Sequence, residues 1–475
     1  MSTTQKPPSS PKLEAKPKSK TKLYLQWIIA FGVPLIFFLM PATPVLTKPI
    51  LKFLAITSWA VASWVFGIIP EVVVGFILPV LYIVVGVATA KDAFSPWLTN
   101  VPWISFGGLI LTAMMMTTGL ASRVAYKAIL ITGGSYKRTI IGLMLGGLVV
   151  APLIPSIIGK AALFAIIGVS ICQALNLEPQ SKTASGIMLG AFLAVAGPKL
   201  SYLTGAGDGP LAMGLVAKVT GTMITWGEFA LHNAIIGVIY SFLALFVLFL
   251  TIKPDKEFDS IDVIKTRYQE LGPMSGQEKK AAVFLGLALL LMVTDFLHKV
   301  DVGWVLMMVA AAAFIPGVGV LKVQDLNKTN FAMVFFVAGA MSIGPIAGQT
   351  GIVKLAANTL IPMLQGSSLY TYMCVYFFGV VLKFFLTPLA AVAMFTTTIA
   401  EIALQLGIHP YLLVYVFKYG VDQYLFPYEY AVLLYVYSFG YMSLNSIIRV
   451  MLPRMFVTGI FLVLIAYPYW KWCGL

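Results

Sequence analysis

The chain has 475 residues, with 32 Lys and Arg against 18 Asp and Glu for a formal net charge of +14. Hydrophobic residues make up 59 % and charged residues 11 %, against roughly 25 % charged in soluble domains, and mean hydropathy is +0.92. Too few polar side chains remain to cover a soluble surface. This excludes a cytosolic enzyme, a disordered chain and a fibrous one, and leaves a polytopic membrane protein.

In a soluble chain the positive balance would suggest nucleic acid. Here it fits Lys and Arg in short loops beside anionic headgroups, so the lipid bilayer is the expected partner and nucleic acid is not. Cys172, Cys374 and Cys473 lie far apart, and the three histidines form no HExxH pattern. No metal centre, cofactor or disulfide framework is expected.

In chain order, residues 1–22 come first, rich in Pro, Ser and Lys with a single Glu14. Such a segment cannot bury a core and is expected to be disordered. Pro41-Ala-Thr-Pro44 after Trp27–Met40 offers no small-residue cleavage site, so 1–22 reads as a cytoplasmic tail rather than a signal peptide. A bacterial inner (cell) membrane is the expected location.

Apolar stretches follow at about 24–40, 51–69, 71–88, 102–120, 139–155, 157–177, 184–205, 226–252, 280–297, 302–320, 331–350, 368–386, 389–408, 410–424, 428–447 and 453–470. Many are long enough for a hydrocarbon core of about 30 Å, while several are short or broken by Gly and Pro. None has the ten-residue alternation of an outer-membrane barrel, so an all-α protein is expected. Residues 253–280 carry mixed charges without an apolar period and read as a linker outside the bilayer. It separates a first membrane half, 23–252, from a second, 281–475.

The halves resemble each other weakly at a shift of 231. Ile171, Leu175, Leu177 and Pro179 fall on Ile402, Leu406, Ile408 and Pro410, and Ser156 falls on Thr387, each hydroxyl beside a proline (Pro155, Pro388). Thr117-Thr-Gly-Leu120 and Gln349-Thr-Gly-Ile352 match at nearly the same offset, each followed by a basic, moderately amphipathic stretch. Paired repeats interrupted at matching positions mark a secondary transporter, because helices broken inside a membrane expose backbone groups that are tolerated only around a solute or ion.

At these residues the chain resembles the divalent anion/sodium symporter family, the sodium:dicarboxylate/sulfate transporters, nearest its plastid 2-oxoglutarate/malate translocator-like branch. The tip Pro155-Ser-Ile-Ile-Gly-Lys160-Ala is similar to that branch's Pro-Ser-Thr-Thr-Ala-Arg-Ala, with Lys160 at the cationic position. The second tip reads Leu386-Thr-Pro-Leu-Ala-Ala391. The broken regions would be Thr204-Gly-Ala-Gly-Asp-Gly-Pro210 and Val421-Asp-Gln-Tyr-Leu-Phe-Pro-Tyr-Glu429. The likeness extends over about residues 25–475, including Leu271–Lys280 and the ending Ala466–Leu475. It implies an inverted-repeat fold with two re-entrant helical hairpins, near 150–177 and 381–408, together with broken helices and a homodimer. It also implies elevator-type transport of a small divalent anion, most simply a C4/C5 dicarboxylate.

The departures bear on coupling. Ile157 and Ile158, then Pro388 and Leu389, stand where the family carries the Asn and Thr that ligate sodium. This argues against Na⁺ symport and leaves exchange or proton coupling, with Na⁺ and H⁺ as the candidate coupling ions.

Charge inside a span costs at least about 2.5–3.5 kcal/mol on insertion scales, so each such residue needs a partner or a function. Lys160, four residues past Ser156, suits an oxyanion, with the Ser156 hydroxyl and helix N-terminal amides completing a cradle. Thr387, Lys383 and Lys418 are further substrate-binding candidates. Asp208, between two glycines, and Asp422 with Gln423 are coupling-ion or charge-relay candidates; Asp208 also suits neutralising Lys160 or Lys199. The Met114–Met116 run and the tyrosine-rich stretch 424–441 read as lipid-facing or packing surface. Gly205-Ala-Gly-Asp-Gly lacks a P-loop's spacing and its Lys-Ser/Thr, so direct ATP drive is not expected. An inorganic oxyanion (sulfate-like) permease is the alternative, with an intramembrane enzyme or an anion channel more remote.

Overall fold

A computed structural model describes residues 20–66, 68–256, 258–327, 329, 331–352, 355 and 366–475. The disorder expected for 1–22 falls on residues outside this set, except that Lys20 opens the first helix. Most of the basic stretch expected after Ile352 also lies outside the described residues.

Among the described residues all regular structure is helical, with one isolated bridge between Ser135 and Asp259. Helices α1 (Lys20–Leu39), α2 (Lys48–Phe66) and α3 (Glu71–Val84) pack in sequence. Next, α4 (Val101–Thr117) and α5 (Leu120–Thr132) form a span bent by 68°. Gly119 sits at the bend with φ +82°, a conformation that glycine adopts without strain. Helices α6 (Tyr136–Val150), α7 (Ile157–Ala174), α8 (Lys182–Ala196), α9 (Asp208–Thr220) and α10 (Trp226–Thr251) complete the first half.

Helix α11 (Ile261–Glu270) lies within the interval read from sequence as a linker, with Ile264 buried. The second half contains α12 (Gly276–Val293), α13 (Val302–Ala312), α14 (Ala332–Met341), α15 (Ile343–Thr350), α16 (Ser368–Leu382), α17 (Pro388–Gln405), α18 (Pro410–Val421), α19 (Ala431–Tyr437) and α20 (Leu444–Phe461). A π turn at Leu462–Ala466 carries α20 on to Trp472. Among the described residues seven helices can cross a membrane by length and composition, or eight counting the bent pair, so the chain is an integral multi-pass protein.

The two hairpins repeat closely. Helices α6 and α16 both have 15 residues, and α7 and α17 both have 18. The first tip, 151–156, is one residue longer than the second, 383–387. That difference explains why the repeat is offset by 232 before the tips and 231 after them. In each hairpin the second limb starts at a hydroxyl cap: Ser156 Oγ accepts from the Gly159 amide at 3.2 Å, and Thr387 Oγ1 from the Ala390 amide at 3.3 Å. Gly147 and Gly379 occupy matching positions on the first limbs. A Cβ on Gly147 would lie 1.9 Å from the Ala194 carbonyl oxygen, and one on Gly379 would lie 2.9 Å from the Val421 amide nitrogen. Each hairpin therefore presses its backbone against the helix that breaks. Helix α8 is buried from Thr183 to Ala196.

The interval between the halves is fastened to the first. Asp255 accepts from the Lys182 and Thr183 amides at 2.9 and 3.1 Å. The Ser260 and Thr139 hydroxyls share a 2.9 Å hydrogen bond. Arg123 forks onto Glu278 at 2.8 and 3.1 Å and donates to the Leu271 and Gly272 carbonyls.

Candidate functional site

Two helices stop short where the hairpins touch them. After α8 the chain runs irregularly from Gly197, through turns at Pro198–Leu200 and Leu203–Gly205, until Asp208 opens α9. After α18 it is irregular from Asp422 until Ala431 opens α19. Broken helices leave carbonyls without helical partners, and buried cations occupy several of them here. Lys160 donates to the Gly205 carbonyl at 2.5 Å. Lys383 donates to those of Leu386 and Glu429 at 2.9 and 2.7 Å, and Arg454 Nη2 to that of Asp422 at 2.6 Å.

Lys199 joins the breaks. Its ammonium lies 2.6 Å from Asp422 Oδ1 and 3.8 Å from Asp208 Oδ2, and donates to the Tyr424 hydroxyl at 3.2 Å. The Tyr424 hydroxyl in turn bonds Asp422 Oδ1. Lys418 Nζ lies 5.6 Å from the centre of the Phe229 ring, within the field of Asp208, Lys199 and Asp422. Gln423 Nε2 donates to the Tyr240 hydroxyl and the Tyr419 carbonyl at 3.1 and 2.8 Å, and Thr458 donates to its Oε1 at 3.4 Å.

The balance of charge is uneven. Among the described residues around the hairpins and breaks, the buried cations are Lys160, Lys199, Lys383, Lys418 and Arg454, and the buried carboxylates are Asp208, Asp422 and Glu429, with half-buried Glu71 facing Lys383 and Thr387. Arg454 Nε and Nη1, Asp422 Oδ2 and Glu429 Oε1 are buried without a hydrogen-bond partner among the described residues.

A cavity of about 460 Å³ opens beside the first tip, lined by Ser105, Thr112, Pro155, Ser156, Gly207 and Met333 among others. Among the described residues no lysine lines it. Lys160 points away to Gly205, one helical turn behind Ser156. Gly207, on the cavity wall, is the neighbour of Asp208.

Residues 21–475 match the family described as the sodium:sulfate symporter transmembrane region. The chain belongs to that family. It is a membrane transporter, not an enzyme. Relatives of this sodium:sulfate symporter member include inner membrane protein YbhI of Escherichia coli, 24 % identical over 75 % of this chain and 78 % of that one. Dicarboxylate transporter 1, chloroplastic, of Spinacia oleracea is 22 % identical over 68 % and 59 %. The L-tartrate/succinate antiporter of Escherichia coli is 22 % identical over 59 % of each. The crystal structure of the YdaH transporter of Alcanivorax borkumensis aligns with a TM-score of 0.52 at 14 % identity, covering 96 % of this chain and 98 % of that one. It is similar in fold.

Among the residues singled out in the sequence of this symporter-family chain, Asp208, Lys418 and Asp422 meet in one buried cluster around Lys199. Lys160 and Lys383 flank it from the two hairpins. Ser156 faces the cavity; Thr387 lies beside Glu71 and Lys383. Gln423 faces Tyr240 and Thr458 instead. Sequence reasoning left out Arg454, whose signal was plain: an arginine inside the apolar span 444–461. It also placed Tyr424 and Tyr430 on a packing or lipid-facing surface, whereas both lie against the lysines. Of the two cations that Asp208 was expected to neutralise, Lys199 lies 3.8 Å from it, while Lys160 reaches the carbonyl of Gly205.

Proposed function

We propose that the protein is a secondary active transporter of a small divalent anion, a C4/C5 dicarboxylate, working by exchange or cation coupling. The observation that carries this reading is the excess of buried cations over buried carboxylates at the two hairpins and breaks. Uncompensated charge is costly in a low-dielectric interior, and a dianion supplies the missing compensation. The cavity beside Ser156 and Gly207 is the approach to that layer, and its volume falls within the roughly 300–1,000 Å³ of small-molecule sites. In this reading Ser156, Lys160, Thr387, Lys383 and Lys418 serve the substrate, while Asp208, Asp422 and Gln423 set the charge around it.

The names of the spinach and Escherichia coli relatives support a dicarboxylate. The family description supports a second reading, sulfate. Na⁺ is the weaker coupling ion, because the tips offer Ile157, Ile158, Pro388 and Leu389, and three break carbonyls are held by Lys160, Lys383 and Arg454. An elevator-like displacement of the hairpins, a homodimer, a bacterial cell membrane and a cytoplasmic N-terminus complete the proposal. The test is reconstitution in liposomes loaded with malate or with sulfate, followed by uptake of labelled succinate and, separately, of labelled sulfate, each with and without Na⁺. Uptake of succinate supports the dicarboxylate, uptake of sulfate without succinate supports the second reading, and uptake of neither sinks both.

A further inference from the structure

Tyr424 is fully buried, and its ring is approached by three cations from three elements. Lys383 Nζ, at the second hairpin, lies 5.2 Å from the ring centre. The Arg454 guanidinium, from α20, lies 5.6 Å away and Lys199 Nζ, from the first break, 5.9 Å away. Tyr430 stacks on Tyr424 with centres 4.5 Å apart and planes 10° from parallel, and Lys199 lies 5.1 Å from the Tyr430 ring. Each distance is within the roughly 6 Å over which an aromatic face attracts a cation, but Lys199 lies nearly in line with the Tyr424 C–O bond, so the face it meets is that of Tyr430.

Three cations gathered so closely repel one another. A further carboxylate would relieve the repulsion but cancel the charge. An aromatic face attracts each cation through its quadrupole and adds no charge of its own, so the positive excess survives for an incoming dianion. We propose that Tyr424, backed by Tyr430, is a positioning residue of the anion site: its ring holds Lys383 and Arg454 together, with Lys199 held at its edge and against Tyr430, while leaving the site positive. The hydroxyl has a separate task, bonding Lys199 and Asp422. The inference rests on the anion-transport reading above.

A ring that merely fills space acts through its shape, whereas a ring that holds cations acts through its electron density. Fluorination separates the two, since it drains the face while barely changing the shape. Phenylalanine and its mono-, di- and trifluorinated forms are placed at position 424 of the full chain, and uptake of labelled succinate is measured in liposomes. KM is expected to climb with each fluorine to roughly tenfold, with the maximal rate within about twofold. Tyr424→Leu is expected to raise KM at least as far, and to lower the preference for succinate over its monoanionic monomethyl ester. A flat KM across the fluorinated series in a protein whose parent is active, or a Leu variant with the parent's KM, overturns the role of the ring. A parent that takes up neither succinate nor sulfate overturns the transport reading, and this inference with it.

Discussion

The Lys199 ammonium lies 2.6 Å from Asp422 Oδ1, although the two residues come from the breaks of different repeats. The same ammonium reaches Asp208 at 3.8 Å in its own half. One side chain thus ties together both points at which the helices are interrupted. All three groups are buried, so a lone replacement strands a charge.

Removing one partner of a buried pair costs about 3–5 kcal/mol, because the other is left uncompensated. Lys199→Met is therefore expected to lower the thermal midpoint in detergent sharply, and Asp422→Asn likewise. The double variant is expected to lose less than the two losses added together. Additive losses would argue against a direct pair.

Lys160 is held by a single carbonyl, that of Gly205. Lys160→Ala is expected to reduce anion uptake at least roughly tenfold while the protein stays monodisperse, since the substrate loses a charge-assisted contact of about 1.5–3 kcal/mol. Unchanged uptake kinetics would remove Lys160 from the site.

Ser156 and Thr387 both cap helices, so Ser156→Ala and Thr387→Ala are each expected to cost about 1 kcal/mol of stability. Thr387→Ser keeps the cap and is expected to match the parent. Because Ser156 alone of the two borders the cavity, its loss is expected to raise KM more than the loss of Thr387 does, measured as succinate uptake.

Asp255 lies outside the spans, at the N-terminus of α8. Burial alone would raise its pKa, but the Thr183 hydroxyl and the Lys182 and Thr183 amides outweigh it and hold the carboxyl below its ordinary value. A depressed folded-state pKa gives stability that is fully present above the unfolded value and lost as pH falls through the folded one. Asp255→Ala is thus expected to lower stability at neutral pH by about 1 kcal/mol. The gap between parent and variant should begin to narrow only below about pH 4 and go on closing as the pH falls through the lower folded value, as followed by thermal melts across pH.

If lysines occupy the break carbonyls in place of sodium, replacing external Na⁺ by choline is expected to change succinate uptake by less than about twofold. A steep, saturable Na⁺ dependence would show that unwound backbone still binds the ion.

The helical, multi-pass architecture was legible because it depends on local properties: apolar length, and a proline and a hydroxyl at each hairpin tip. The small slip in the repeat offset was legible too, and the extra residue in the first tip accounts for it. The charged layer was only half legible. Lys160, Asp208, Lys383, Lys418 and Asp422 stood out because a charge in an apolar run is conspicuous anywhere. What they touch depends on how the breaks and hairpins come together in space, as where Lys199 reaches Asp422 of the other half, which no periodicity encodes. Asp208 suits either Lys160 or Lys199 by sequence, and it is Lys199 whose ammonium lies 3.8 Å from it. Tyr424 was missed for a related reason. A tyrosine in an apolar segment looks the same whether lipid or an ammonium lies against its face.

The tip hydroxyl of Ser156 receives an amide hydrogen on its oxygen, which occupies one lone pair and leaves the hydroxyl's own hydrogen unspent, whereas that of Thr387 turns to Glu71. The fold fixes where the Ser156 oxygen stands before anything arrives, and rotation about a single C–O bond is all that remains free. A visiting oxyanion would meet a proton donor already immobilised by the helix behind it, so recognition at Ser156 would require the chain to give up almost no further motion.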